Sequence, residues 1–143
     1  MAPVQVEVAM SSELVRDVMH HGVVSCHPDM KLREAAGLMA NASVRAIVVV
    51  DGDCGLSGIV STSDLVNATL SDSTAVSWQS LCVKDVMTRQ VLTVTPDTAL
   101  SEAAKLLVDH RVHRLVVVDA SGNKCNPIGI ISMGDVVRRL AEQ

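Results

Sequence analysis

The sequence is an internal duplication, and no other feature constrains its fold as strongly. Residues Val15–Asp51 return as Val83–Asp119 at a shift of 68, with 17 of 37 positions identical. Asp17-Val18-Met19 becomes Asp85-Val86-Met87, Pro28-Asp29 becomes Pro96-Asp97, and Glu34-Ala35-Ala36 becomes Glu102-Ala103-Ala104. The valine run Val48–Val50 with Asp51 returns as Val116–Val118 with Asp119. The shift then widens to 71, carrying Gly58-Ile59-Val60-Ser61 onto Gly129-Ile130-Ile131-Ser132 and Asp64 onto Asp135. The extra residues fall in the stretch from Ala120 to Pro127, which has the composition of a surface turn. Half of such a chain is marginal by itself, since domains of ~60 residues bury too little surface.

Each copy reads as strand, helix, strand, turn, strand, helix. Val23–Cys26 and Val91–Thr95 are β-prone, and Pro-Asp then stops the strand and opens a helix. On that helix Leu32, Ala35, Ala36 and Met39 fall at i, i+3, i+4 and i+7, as do Leu100, Ala103, Ala104 and Leu107. Ile47–Val50 and Leu115–Val118 are apolar runs too short for helices, so they read as buried strands. Gly58–Val60 and Gly129–Ile131 give a third strand, and a closing helix starts near Asp64 or Asp135. The expected fold is α/β, two β-α-β-β-α copies with pseudo-twofold symmetry. Neither half covers its own core, so sheet-to-sheet packing is the expected solution. The boundaries implied are residues 12–68, a Ser-rich linker 69–82 that partly extends the preceding helix, and 83–141. Alternation of Val4, Val6 and Val8 suggests a short additional strand.

Each closing helix begins Ser-x-x-Asp, as Ser61 with Asp64 and Ser132 with Asp135. One reading is purely local: Ser caps the helix and Asp complements its dipole. The other is a ligand site. A carboxylate accepts two vicinal hydroxyls at once, and the unpaired N–H groups of a helix start welcome polar ligands and phosphate. The two roles are compatible. His110 and Arg111 read as a solvated helix end. His113 and Arg114 open a buried strand, where charge is costly unless it reaches a rim or a ligand.

Other chemistry is disfavoured. His20, His21, Cys26 and His27 match no zinc spacing, so no metal is expected. No Gly-x-Ser-x-Gly, phosphate-binding Gly-rich loop or His-Glu-x-x-His is present, and no residue stands out as a nucleophile or base. The formal charge of −4, from 12 basic and 16 acidic residues, argues against nucleic acid as a partner. No apolar run approaches the ~18–20 residues of a membrane span, and no basic-then-apolar leader opens the chain, so a cytoplasmic protein is expected. Cys26, Cys54, Cys82 and Cys125 form no C-x-x-C and read as reduced thiols. Trp78 is the sole aromatic residue, and with eight glycines added to the 48% hydrophobic share the apolar content exceeds the usual ~45–50%. That surplus points to a self-associating face and a homodimer.

Both copies resemble the cystathionine-β-synthase-type (CBS) domain. The resemblance rests on an Asp-Val-Met lead-in, a Pro-Asp helix start, an apolar strand ending in Asp, and Gly-hydrophobic-hydrophobic-Ser-x-x-Asp. It covers about Val15–Ala68 and Val83–Leu140. The second copy, with His113-Arg114-Leu115 before its valine run, is similar to repeats in the γ regulatory subunit of AMP-activated protein kinase. The family implies a regulatory module rather than an enzyme, binding AMP, ADP or ATP in clefts between paired repeats. S-adenosylmethionine and NAD are alternative ligands. It further implies that Asp64 and Asp135, with Ser61 and Ser132, hold the ribose hydroxyls. The residue ahead of the Pro of the opposite repeat, His27 or Thr95, would lie near the base, and Arg45, His113 and Arg114 would face the phosphates. The first copy has Ser43-Val44-Arg45 and no His-Arg pair, so the two clefts are expected to differ. A regulated partner protein is implied as well. The competing expectation is a module of the same fold that binds partners or dimerises without a ligand.

Overall fold

The computed structural model describes residues 12–52, 55–70, 77–121 and 126–142. In chain order the elements are β1 (His20–His21), β2 (Ser25–Cys26), α1 (Leu32–Ala42), β3 (Ala46–Val50), β4 (Leu56–Ser61), α2 (Thr62–Thr69), α3 (Val83–Val86), β5 (Thr93–Val94), α4 (Leu100–Asp109), β6 (Arg114–Val118), β7 (Pro127–Ser132) and α5 (Met133–Ala141). Short 3-10 turns lie at Val15–Asp17 and Trp78–Ser80. The chain is therefore mixed α/β, as its patterning implies. Val4, Val6 and Val8 lie outside the described residues.

Two compact units form. A mid-chain unit spans Val24–Val91, and a two-segment unit joins the described residues up to Val23 with the described residues from Leu92 onwards. The mid-chain unit holds a sheet in the order β2-β3-β4, and the two-segment unit holds β1-β7-β6-β5. In both, a two-residue strand runs parallel to the valine strand, which pairs antiparallel with the next strand. A register shift falls at the same place in each, between Val49 and Val50 and between Val117 and Val118. The parallel edge strands β2 and β5 are shorter than their β-prone runs, because only Ser25–Cys26 and Thr93–Val94 find partners.

The valine strands are unbroken apolar runs because both of their faces are covered. Ile47, Val48 and Val49 are fully buried, as are Val116 and Val117. Helices α1 and α4 bury the stripe set by the 3.6-residue period, Leu32, Ala35 and Met39 in one and Leu100, Ala103 and Leu107 in the other. A left-handed non-glycine residue follows each helix, Ser43 directly after α1 and Arg111 two places after α4, both at φ 55°. The following N–H groups of Val44 and Val112 close back on Met39 and Leu107 carbonyls at 3.1 Å, which satisfies orphan helix-end acceptors.

The lead-in segments pack out of order with respect to the sequence copies. Val15 and Met19, from the first copy, belong to the core of Leu100, Leu107, Leu115 and Ile131. Val83 and Met87, from the second, belong to the core of Leu32, Ile47, Val49 and Val60. The Pro-Asp motif receives them. Lys84 N–H donates to the Pro28 carbonyl at 3.0 Å and Val83 N–H to Met30 at 2.8 Å. Arg16 N–H donates to Pro96 at 3.0 Å and Val15 N–H to Thr98 at 2.8 Å in the other unit. The motif's carboxylates complete the contact through the ion pairs Lys84–Asp29 and Arg16–Asp97. Glycine follows from this docking: a Cβ on Gly58 would lie 2.7 Å from both Met87 Sδ and the Thr88 carbonyl oxygen, and one on Gly129 would strike Met19 and the His20 backbone.

Candidate functional site

Both Ser-x-x-Asp turns form reciprocal caps. Ser61 takes an extended backbone that ends β4 and starts α2. Its hydroxyl accepts from Asp64 N–H at 3.3 Å, and its own N–H donates to Asp64 Oδ2 at 2.7 Å. The Ser61 hydroxyl proton also reaches Asp64 Oδ2, at 3.0 Å. In α5, Ser132 Oγ accepts from Asp135 N–H at 3.2 Å and Ser132 N–H donates to Asp135 Oδ2 at 2.9 Å. The local reading of these residues is thus realised, and each cap is worth roughly 0.5–2 kcal/mol.

The residue just before the strand partner of each turn's serine closes the rest of the helix mouth. Thr62 N–H donates to the Arg45 carbonyl and Met133 N–H to the His113 carbonyl, both at 2.9 Å. Arg45 and His113 occupy equivalent positions in the two copies. His113 proves to be exposed and ahead of β6, not inside it, while the half-buried Arg114 opens the strand with its Cα opposite Ser132. One unit thus gathers Arg45, Ser61 and Asp64, and the other gathers His113, Arg114, Ser132 and Asp135.

His27 and Thr95 do not join these groups within their own units. Cys26 pairs with Val49, so His27 follows at the C-terminal end of β3, whereas Ser61 pairs with Ala46 at its start. Val94 pairs with Val117, while Ser132 pairs with Arg114. The separation is about four strand residues, or roughly 13 Å. The His27 ring instead lies within 3.5 Å of the carboxylates of Asp29 and Asp51. Thr95 N–H donates to Thr98 Oγ1 at 3.1 Å, fixing the turn ahead of α4.

The second oxygen of each capping carboxylate separates the two mouths. Asp135 is only 1% exposed, and its Oδ1 lies 3.1 Å from His20 Nδ1 and 3.3 Å from an Arg138 guanidinium nitrogen. Asp64 is half-buried, and no group among the described residues bonds its Oδ1. The equivalents of His20 and Arg138 in the mid-chain unit are Thr88 and Asn67. Reading the Ser-x-x-Asp turns alone misses His20 and Arg138; the differences between the copies at those two positions carry the signal. Beside α2 a concavity of about 260 Å³ is lined by Thr62, Ser63, Val66 and Asn67. Asp64 does not line it. Among the described residues no group of three or more His, Cys, Asp or Glu is arranged to hold a metal ion.

This duplicated fold, with one capped helix mouth per copy, is that of a CBS domain pair. The chain belongs to the CBS domain family, whose model matches residues 15–71 and 83–142. It is 29% identical over 156 aligned positions to an uncharacterized protein, MJ1426, of Methanocaldococcus jannaschii, covering 89% of this chain and 90% of that one. It is 30% identical over 135 positions to the inosine-5'-monophosphate dehydrogenase of the same organism, where 94% of this chain spans only 25% of the relative. Among solved structures, CBSX2 in complex with AMP aligns with a TM-score of 0.73 at 30% identity, covering 92% of this chain and 98% of that one. The CBS domain pair of protein MJ0100, in complex with 5'-methylthioadenosine and S-adenosyl-L-methionine, shares the fold at a TM-score of 0.78 and 22% identity, covering 90% and 96% of the two chains. No helix among the described residues is long and apolar enough to cross a membrane.

Proposed function

We propose that this chain is a regulatory module that binds an adenosine nucleotide, AMP, ADP or ATP, and passes that signal to a partner protein in the cytoplasm. The observation that carries the reading is the Asp64 carboxylate, held by its cap through one oxygen with the other left for a hydroxyl pair. The 30% identical relative crystallised with AMP supports the ligand class. In this reading Ser61 and Asp64, and Ser132 and Asp135, offer acceptors to the ribose, while Arg45, His113 and Arg114 stand at the helix mouths where phosphate charge is stabilised. His27 and Thr95 enter as base-flanking residues on the family resemblance alone. The activity is binding, not catalysis. Ligand acts by its differential affinity for two conformations of the module. Exposed Val66 on α2 and Leu70 just after it, with Val137 and Leu140 on α5, supply apolar surface for the proposed homodimer.

A thermal-shift panel of AMP, ADP, ATP, S-adenosylmethionine and NAD tests the reading. A rise in Tm with an adenosine nucleotide is expected. If none of the five moves Tm at millimolar concentration, the reading fails. The filled Asp135 oxygen favours a second reading, a ligand-free dimerisation or partner-binding module, for which that flat panel is the expected result.

A further inference from the structure

We infer that His20 and Arg138 latch the Asp135 carboxylate shut, so that Asp64 is the primary ligand carboxylate and each chain offers one tight site rather than two. The inference rests on the nucleotide-binding reading above and specifies how its two mouths differ.

A ribose diol needs free acceptor capacity on the carboxylate it approaches. Ser132 N–H already uses Asp135 Oδ2, and His20 Nδ1 and Arg138 use Oδ1. A diol would have to displace both before making its own bonds. The position of His20 is itself constrained. β1 pairs antiparallel with β7, with His20 opposite Ile130, and Gly22 N–H donates to the Ile128 carbonyl at 2.7 Å just beyond. Gly129 admits the His20 backbone at a distance where no side chain fits. The imidazole is therefore delivered to Asp135 by the same docking that builds the core.

The mid-chain unit keeps the backbone and changes the side chains. Thr88 is bound to Ile59 by two backbone bonds, at 2.9 and 3.0 Å, as His20 is aligned with Ile130. Its short side chain makes no bond to Asp64 among the described residues, and neither does Asn67, which stands where Arg138 stands in the other copy. The duplication thus supplies its own control: equal backbone, unequal occupancy of the carboxylate.

Isothermal titration of the full chain with AMP reads the difference as stoichiometry. One tight equivalent per wild-type chain is expected. Asp64→Asn, which can keep the cap through its amide oxygen, should weaken that event at least tenfold. The double variant His20→Thr, Arg138→Asn, which copies the other mouth, should raise the stoichiometry to two; adding Asp64→Asn to it should leave one. Circular dichroism melting confirms that each variant is folded. Two matching equivalents in the wild type, a tight event that survives Asp64→Asn, or a stoichiometry still at one in the folded double variant would each overturn the latch while leaving nucleotide binding intact. Absence of binding in every protein would overturn the nucleotide reading, and the latch with it.

Discussion

Lys84 Nζ lies 2.8 Å from Asp29 Oδ1, joining residues 55 apart in sequence across the contact between a Pro-Asp turn and a lead-in segment. Arg16 and Asp97 make the same ion pair in the other unit. The recurrence explains why an acidic residue follows Pro in both copies: it receives the basic residue that precedes each Asp-Val-Met.

The pair imposes a pH dependence at both extremes. The Lys84 hydrogen bond and charge hold the Asp29 carboxyl below its ordinary value of 3.8, and Asp29 holds Lys84 above its ordinary 10.5. The Asp29 contribution is present above the unfolded-state pKa and is lost as pH falls through the lowered folded value. The Lys84 contribution is present below its unfolded pKa and is lost as pH rises through the raised folded value. Both groups are exposed, so the effect is small and screened by salt. A double-mutant cycle of Asp29→Ala and Lys84→Ala should show coupling at pH 7 that shrinks below pH 4 and in 1 M NaCl.

Gly58→Ala should destabilise the protein by about 1–3 kcal/mol, the usual cost of forcing extra volume into a packed contact. One of the two atoms in the way belongs to the Thr88 backbone and cannot swing aside. Urea unfolding measures it. Gly129→Ala should behave likewise, and an unchanged midpoint for both would refute the close approach.

Capping and ligand binding at Asp64 should separate by substitution. Ser61→Ala removes the hydroxyl that accepts from Asp64 N–H and should lower stability by roughly 0.5–2 kcal/mol. Asp64→Ala removes the acceptor of Ser61 N–H and so also lowers stability, but in addition it removes charge-assisted bonds to a diol, each worth roughly 1.5–3 kcal/mol, and should weaken AMP binding about 10–150-fold. Melting curves with and without AMP distinguish the two effects.

Burial pushes the Cys26 thiol above its ordinary value, and the side chain belongs to the mid-chain core. The thiolate is the reactive form, so iodoacetamide at pH 7.5 should alkylate Cys26 far more slowly in the folded protein than in urea. Peptide mass mapping resolves the site. Equal rates in both conditions would contradict its burial.

Leu107 is fully buried where α4 meets its sheet. Leu107→Ala should cost about 2–5 kcal/mol in urea unfolding, whereas replacing the exposed Val108 by Ala should change little.

Helices and valine strands were legible because their signal is local. The stripe from Leu32 to Met39 and the run Ile47–Val50 each encode one element by period and apolar content. Ser61 and Asp64 were legible as a cap for the same reason. β1 was not: His20 and His21 have no strand pattern, and their pairing comes entirely from β7. Nor could the copies' own residues reveal which core Val15 or Val83 would enter, since both lead-ins offer the same valine and methionine and both cores are aliphatic. His113 reads as a strand residue only because it adjoins one; its carbonyl caps a helix instead. The His20 contact on Asp135 depends on the pairing of His20 with Ile130, residues 110 apart, which no periodicity carries.

The crossed placement of the lead-in segments has a consequence for how the gene can be cut. Severing the chain between its two copies would give two fragments, each deprived of the valine and methionine that plug its own core and each carrying a plug shaped for the other. Recombination that keeps a working module must therefore move the two copies together. A solitary copy could satisfy its core only by taking the missing plug from another molecule.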